Sequence, residues 1–155
     1  MRIGEICNRE VVVIKEDSSV TEAAGVMREY HVGDVVIVRE QYGQQVPVGI
    51  LTDRDIALGV VADEIDPKSV GVGDAMSFDL TTVSEDEDFI HAIEVMRDKG
   101  IRRIPVVDAD EVLIGILTVD DVLDLLSGVL IDLVHLVDGQ RRREIKERPG
   151  PNGNA

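Results

Sequence analysis

The chain has 155 residues, enough for one compact domain or for two small halves that share a core. It carries 31 acidic and 16 basic residues, a formal net charge of −15, which excludes nucleic acid or an anionic membrane as a non-specific partner. A single cysteine, Cys7, rules out an intrachain disulfide. Together with the lack of a signal peptide or a membrane-spanning apolar run, this predicts a cytoplasmic protein.

The predicted elements follow an internal repeat. Residues 3–38 align without a gap to residues 72–107, and after a turn-like stretch the motif at 49–55 aligns to 115–121. The three residues lost between the copies fall in a turn, where a change of length costs little. We therefore divide the chain into three segments: repeat 1 at 1–70, repeat 2 at 71–130, and a C-terminal helical extension with a disordered tail at 131–155.

Each repeat predicts the order strand, helix, strand, strand, helix. In repeat 1 the apolar runs and helical spacing place these elements at 11–14, from Ser18 or Ser19 onward, at 35–38, at 46–51, and from Asp53 onward. In repeat 2 they fall at 80–83, from Ser84 or Glu85 onward, at 104–107, at 112–117, and from Val119 onward. One such unit is too small to bury a stable core alone. The expected fold class is α+β (α/β-like), with two β-α-β-β-α repeats packed sheet against sheet about a pseudo-twofold axis.

The C-terminal extension keeps helical spacing of apolar residues. They are Val122, Leu125, Leu126, Val129, Leu130, Leu133, Val134 and Val137. Such a stripe serves either packing within the chain or a contact between subunits, and the sequence leaves both open. From Arg141 to Ala155 the chain is basic and then rich in Pro and Gly, and we expect it to be disordered.

The repeated motif is Gly-h-h-Thr-x-x-Asp, where h is apolar: GILTDRD at 49–55 and GILTVDD at 115–121. Its Thr falls where a strand gives way to a helix, and its Asp falls in the first helical turn. This cluster could hold a sugar diol on the carboxylate, with a phosphate near the helix N-terminus. The alternative is a capping box that serves only the helix end. The occurrence of two matching copies favours binding.

The two motifs, the order of elements and the run Gly100-Ile101-Arg102-Arg103-Ile104-Pro105-Val106-Val107-Asp108 resemble the CBS-domain family. The pair of repeats resembles a Bateman module of a small stand-alone bacterial or archaeal protein. The resemblance implies clefts that bind AMP, ADP, ATP, S-adenosylmethionine or a related adenosyl ligand, with no cofactor required. It assigns the ribose hydroxyls to Asp55 and Asp121, ribose or phosphate to Thr52 and Thr118, phosphate to Arg102 and Arg103, and the adenine pocket to the backbone around Val12 and Thr81.

The two copies differ in charge. Where repeat 2 has Arg102 and Arg103, repeat 1 has Gly33 and Asp34, and a carboxylate would repel phosphate. We expect one well-equipped nucleotide site and one weaker site. Arg54 either compensates locally or is a solvated helix residue, and the sequence leaves both open.

These observations favour a regulatory nucleotide-sensing module, not an enzyme, that forms a homodimer and signals to an unidentified effector protein. The competing hypothesis is a ligand-free scaffold or dimerisation protein of the same fold. The pattern identifies no catalytic nucleophile. It identifies no metal site either, because the three histidines are scattered without ligand spacing.

Overall fold

The computed structural model describes residues 1–76, 79–148 and 150. Six helices and six strands follow one another in the order α1 (Ile3–Ile6), β1 (Val13–Lys15), α2 (Val20–Tyr30), β2 (Asp34–Gln41), β3 (Gln44–Thr52), α3 (Asp53–Ile56), α4 (Val72–Ala75), β4 (Val83–Ser84), α5 (Phe89–Lys99), β5 (Arg103–Val107), β6 (Leu113–Thr118) and α6 (Val119–Glu147). A π-helical turn, Ala57–Val61, continues α3. The predicted α+β class with two matching repeats is confirmed, and the short helices α1 and α4 were not predicted.

Each repeat builds one three-stranded sheet with the same topology. The orders are β1-β2-β3 and β4-β5-β6, and in both sheets the first pair is parallel and the second antiparallel. Side chains along β2 alternate between its two faces, so this strand contributes to two apolar clusters. Val35 and Ile37 pack in the core of repeat 1, whereas Val36 and Val38 cluster with Ile116 of β6. The sheets of the two repeats thus share an apolar layer, as expected for units too small to fold alone.

The helices that cover the sheets begin at polar caps. Ser19 accepts a hydrogen bond from the Glu22 amide at 3.1 Å, and the Glu22 carboxylate accepts one from the Ser19 amide at 2.7 Å. This capping box confirms the predicted start of α2. In repeat 2 the predicted cap at Ser84 or Glu85 is wrong, because Asp88 caps α5 by accepting from the Ile90 amide at 2.9 Å.

The N-terminal segment of repeat 1 packs on repeat 2. The Gly4 amide donates to the Glu85 carbonyl at 2.9 Å, and Asn8 and Ile116 exchange two backbone hydrogen bonds of 2.9 Å each. Residues 1–8 are therefore hydrogen-bonded to repeat 2 and not to repeat 1 at these positions.

The corresponding segment of repeat 2 makes the reciprocal exchange. The Val20 amide donates to the Val70 carbonyl and the Val72 amide donates to the Ser18 carbonyl, both at 2.9 Å. Val72 is fully buried and belongs to the core of repeat 1. The two repeats thus exchange their first segments, which is the reciprocity that a pseudo-twofold arrangement predicts.

Residues fall into two compact units, Met1–Thr118 and Val119–Ala155. The first contains both sheets, and the second contains α6. This helix runs to Glu147, so the predicted disorder is wrong for residues 141–147. The segment is rich in helix formers, and Arg143 pairs with Glu147 at 2.9 Å across one turn, which favours continued helix. The remaining tail residues 149 and 151–155 lie outside the described part of the chain.

Candidate functional site

A cavity of about 380 Å³ joins the two repeats within the unit Met1–Thr118. It is lined by Ile50, Thr52, Arg54, Asp55, Asp79, Leu80, Thr81, Gly100, Ile101, Arg102 and Arg103. We call this cavity the candidate site. The end of β3 and the start of α3 form one wall, and the approaches to β4 and β5 form the other.

The candidate site contains five of the eight residues predicted to bind ligand. They are Thr52, Asp55, Thr81, Arg102 and Arg103. The sequence analysis did not predict Ile50, Asp79, Leu80, Gly100 or Ile101, although each of them lies within two residues of a predicted one. Ile50 belongs to the motif itself, and Leu80 directly precedes Thr81. Closeness in sequence to a predicted residue was therefore the signal that could have identified them.

Thr52 and Asp55 hold each other at the helix start. The Thr52 hydroxyl accepts from the Asp55 amide at 3.0 Å, and Asp55 Oδ2 accepts from the Thr52 amide at 2.9 Å. This is the capping box that was the alternative to a binding role. The geometry is compatible with both capping and binding, because the capping box uses only one carboxylate oxygen of Asp55. A half-buried carboxylate fixed through Oδ2 can still accept a hydroxyl hydrogen through Oδ1.

The motif glycines permit the exchange of N-terminal segments. A Cβ at Gly115 would lie 2.7 Å from the Cys7 sulfur and 3.0 Å from the Asn8 carbonyl oxygen. A Cβ at Gly49 would lie 2.4 Å from the Met76 sulfur. Each motif glycine therefore leaves room for the segment that arrives from the other repeat, and this keeps the strand ahead of the Thr in place.

The candidate site brings three arginines together in a strongly acidic chain. Three arginines, Arg54, Arg102 and Arg103, line it together with two carboxylates, Asp55 and Asp79. Since guanidinium groups bind phosphate by directed hydrogen bonds, the lining suits an anionic ligand in spite of the net charge of −15.

One of these arginines is already engaged across the repeats. Arg103 forms an ion pair with Asp34, and the two side chains are 31% and 20% exposed. The alignment of residues 3–38 with 72–107 makes Asp34 and Arg103 equivalent positions, so the pseudo-twofold brings a residue into contact with its own counterpart. A phosphate that reaches Arg103 must share this guanidinium with the Asp34 carboxylate.

Val12 lies in a different cavity, of about 520 Å³. It is lined by Glu10, Val11, Val12, Val13, Tyr30 and Val32. By alignment Glu10, Val11, Val12 and Val32 correspond to four residues of the candidate site. This counterpart cavity contains a carboxylate and no basic residue, whereas the aligned arginines of repeat 2 line the candidate site.

The other two residues predicted to bind ligand, Thr118 and Asp121, lie where β6 ends and α6 begins. Thr118 is the last residue of β6, and Asp121 lies in the first turn of α6. Neither of them lines the candidate site. Their binding roles therefore stay predictions.

Within ranges 1–76 and 79–148, His, Cys, Asp and Glu form no cluster of three or more that could hold a metal ion. Among the helices in the same ranges, none is long and apolar enough to cross a membrane.

The fold is that of paired CBS domains. The CBS-domain model matches residues 3–61 and 72–128, which is most of the chain, and the chain belongs to this family. It is 41% identical over 123 residues to protein MK0525 of Methanopyrus kandleri, a match that covers 79% of this chain and 61% of that one.

Solved structures of CBS pairs share the fold. The CBS domain protein PAE2072 of Pyrobaculum aerophilum, complexed with AMP, is 27% identical and superimposes with a TM-score of 0.70 over 78% of this chain and 89% of its own. The CBS pair of protein MJ0100, in complex with 5′-methylthioadenosine and S-adenosylmethionine, is 26% identical with a TM-score of 0.70 over 83% and 97% of the two chains.

Proposed function

We propose that this chain is a regulatory module that binds an adenine nucleotide, or a related adenosyl compound, in the candidate site. One observation carries the proposal: the cavity unites the Thr52–Asp55 pair of repeat 1 with the arginines of repeat 2. The carboxylate would accept hydrogen bonds from the ribose hydroxyls, and Arg102 and Arg103 would bind phosphate. Backbone groups around Thr81 would meet the base.

The similar CBS pairs support the ligand class. PAE2072 binds AMP, and MJ0100 binds 5′-methylthioadenosine and S-adenosylmethionine. The arginines in the lining favour a phosphorylated member of that class, because guanidinium groups bind phosphate by directed hydrogen bonds. The counterpart cavity around Val12 lacks basic residues, and we propose that it is the weaker site.

Regulation requires a second protein. Since the cavity is built from both repeats, a ligand that bridges them stabilises one packing of the repeats over others. We propose that an effector protein in the cytoplasm recognises that packing, and that the module itself catalyses no reaction.

The first experiment is a thermal-shift screen of the whole chain with AMP, ADP, ATP, S-adenosylmethionine and GTP. A ligand at about a hundred times its dissociation constant adds about 2.7 kcal/mol, which raises Tm by several degrees. We expect stabilisation by adenine nucleotides and little by GTP.

A matched pair of variants tests the site. Asp55→Asn keeps an amide oxygen that can accept from the Thr52 amide, so the unliganded Tm should change little, but it removes the charge that holds the ribose. Asp53→Asn removes a charge from the same short helix outside the cavity lining and serves as the control. The ligand-induced shift should fall in Asp55→Asn and persist in Asp53→Asn.

The alternative function is a ligand-free scaffold, supported by the capping box that already employs Asp55. If no adenine compound shifts the Tm of the wild-type chain, the scaffold is the better description. If the ligand shift survives intact in Asp55→Asn, the carboxylate serves the helix end alone and the proposed binding mode is wrong.

A further inference from the structure

Each arginine that lines the candidate site is absent from the equivalent position of the other repeat. Arg102 and Arg103 have no basic counterpart in repeat 1, and Arg54 aligns with Asp120 in the second copy of the motif. Arg54 enters the cavity from the repeat 1 wall, whereas Arg102 and Arg103 enter it from the repeat 2 wall. Basic side chains therefore line this cavity from both repeats.

The two carboxylates that flank Arg54 in the sequence make contacts elsewhere. Asp53 Oδ1 accepts a hydrogen bond from the Arg54 backbone amide at 2.8 Å, and Asp53 Oδ2 lies 3.2 Å from where a Cβ on Gly33 would be. Asp55 Oδ2 accepts from the Thr52 amide at 2.9 Å. Within residues 1–76, 79–148 and 150, the Arg54 guanidinium forms no ion pair. Its charge is therefore available to a ligand in the cavity.

The opposite wall binds an anion under a different condition. Arg103 is already paired with Asp34, so a phosphate that reaches it shares the guanidinium with a carboxylate. The chain has a net charge of −15, and its field repels each further phosphate of a ligand unless a nearby cation offsets that repulsion. Arg54 supplies such a cation from the repeat 1 wall.

We propose that Arg54 binds the β-phosphate of a nucleoside diphosphate or triphosphate, and that it makes the candidate site selective for these ligands over a monophosphate. Arg102 and Arg103 bind the phosphate next to the ribose. A guanidinium group suits the second phosphate because its planar N–H groups form two parallel hydrogen bonds with phosphate oxygens. A diphosphate is then bound by arginines of both repeats, and a monophosphate by those of repeat 2. This role of Arg54 rests on the proposed function, since it concerns the ligand of the same cavity.

Titration calorimetry of the whole chain with AMP and with ADP, in the absence of divalent cations, measures the selectivity. The wild type should bind ADP about tenfold more tightly than AMP, because ADP gains charge-assisted hydrogen bonds to Arg54. Arg54→Gln should bind ADP no more tightly than AMP, and its affinity for AMP should stay within about twofold of the wild type. Arg54→Lys keeps the charge but not the planar pair of donors, so its preference for ADP should be intermediate.

The matched control is Arg28→Gln. Arg28 is an exposed arginine of α2 outside the lining of the candidate site, so the variant makes the same change in net charge. It should keep the wild-type preference for ADP. Both arginines are exposed, so the circular dichroism spectrum and the Tm without ligand should match the wild type in both variants.

Three results would overturn the role of Arg54 and leave the proposed function standing. They are equal affinity of the wild type for AMP and ADP, an unchanged preference for ADP in Arg54→Gln, and an equal loss of affinity for AMP and ADP in that variant. If neither AMP nor ADP binds the wild type, the proposed function fails and the role of Arg54 fails with it.

Discussion

Replacing Asp34 by Asn should tighten the binding of AMP in the candidate site. Asp34 forms the ion pair with Arg103, the arginine that we assign to phosphate. The carboxylate therefore competes with the ligand for the same guanidinium. Asn is nearly the same size, so the substitution removes the charge and leaves the packing between the repeats.

The size of the effect follows from the geometry of a shared guanidinium. Two unit charges on either side of it stand about 6 Å apart and repel by about 3 kcal/mol at an effective dielectric constant of about 20. Both side chains keep contact with solvent, at 20% and 31% exposure, so salt and water reduce the repulsion. We expect about half of that value, which is close to a tenfold gain in affinity.

Titration calorimetry with AMP and with adenosine measures the prediction. Adenosine has no phosphate, so its affinity should be the same in Asp34→Asn and the wild type. Asp17→Asn removes one charge from an exposed turn and controls for the change in net charge. Without ligand, Asp34→Asn should be less stable by about 1 kcal/mol, because the ion pair is lost.

The reasoning is refuted if AMP binds Asp34→Asn no more tightly than it binds the wild type. An equal gain for AMP and adenosine would also contradict it, because the effect would then not come from phosphate.

Three further predictions concern the fold. Gly115→Ala places a Cβ 3.0 Å from the Asn8 carbonyl oxygen and should lower the free energy of unfolding by about 1–3 kcal/mol in urea denaturation; a neutral result would mean that the N-terminal segment shifts freely. Ser19→Ala removes the α2 cap and should lower it by about 1 kcal/mol, with Ser19→Thr as the retained-hydroxyl control. The hydrogen bonds from Arg39 lower the pKa of Glu16, so this pair stabilises the fold above the unfolded-state pKa of Glu16 and is lost as the pH falls through the folded-state pKa. Arg39→Gln should raise that pKa toward its ordinary value in a carboxyl-carbon NMR titration, and an unchanged pKa would exclude Arg39 as the cause.

Local sequence pattern was sufficient for the repeat, for the strand-helix-strand-strand-helix order within each copy and for the motif, but not for the short helices α1 and α4. Strand alternation and helical spacing depend on neighbours within a few residues, and both copies express them in the same order. The Thr52–Asp55 pair was predictable for the same reason, because a cap and its partner are three residues apart.

The two wrong predictions, the cap of α5 and the extent of α6, also have local causes. The cap of α5 falls on Asp88 rather than on Ser84 or Glu85, because several acidic and hydroxyl residues in a row can each cap a helix. The extent of α6 was underestimated, since a basic run next to Pro and Gly was read as disorder although its own residues favour helix.

Tertiary structure alone decided which residues meet. The exchange of N-terminal segments places Cys7 against Gly115, and the pseudo-twofold places Asp34 against Arg103, in both cases across separations that no local pattern encodes. The candidate site likewise joins Asp55 to Arg102 from the other repeat. Each helix or strand can be predicted from the sequence because it depends on residues close to it in the chain. Contacts between distant elements depend instead on how the two repeats pack over their shared apolar layer.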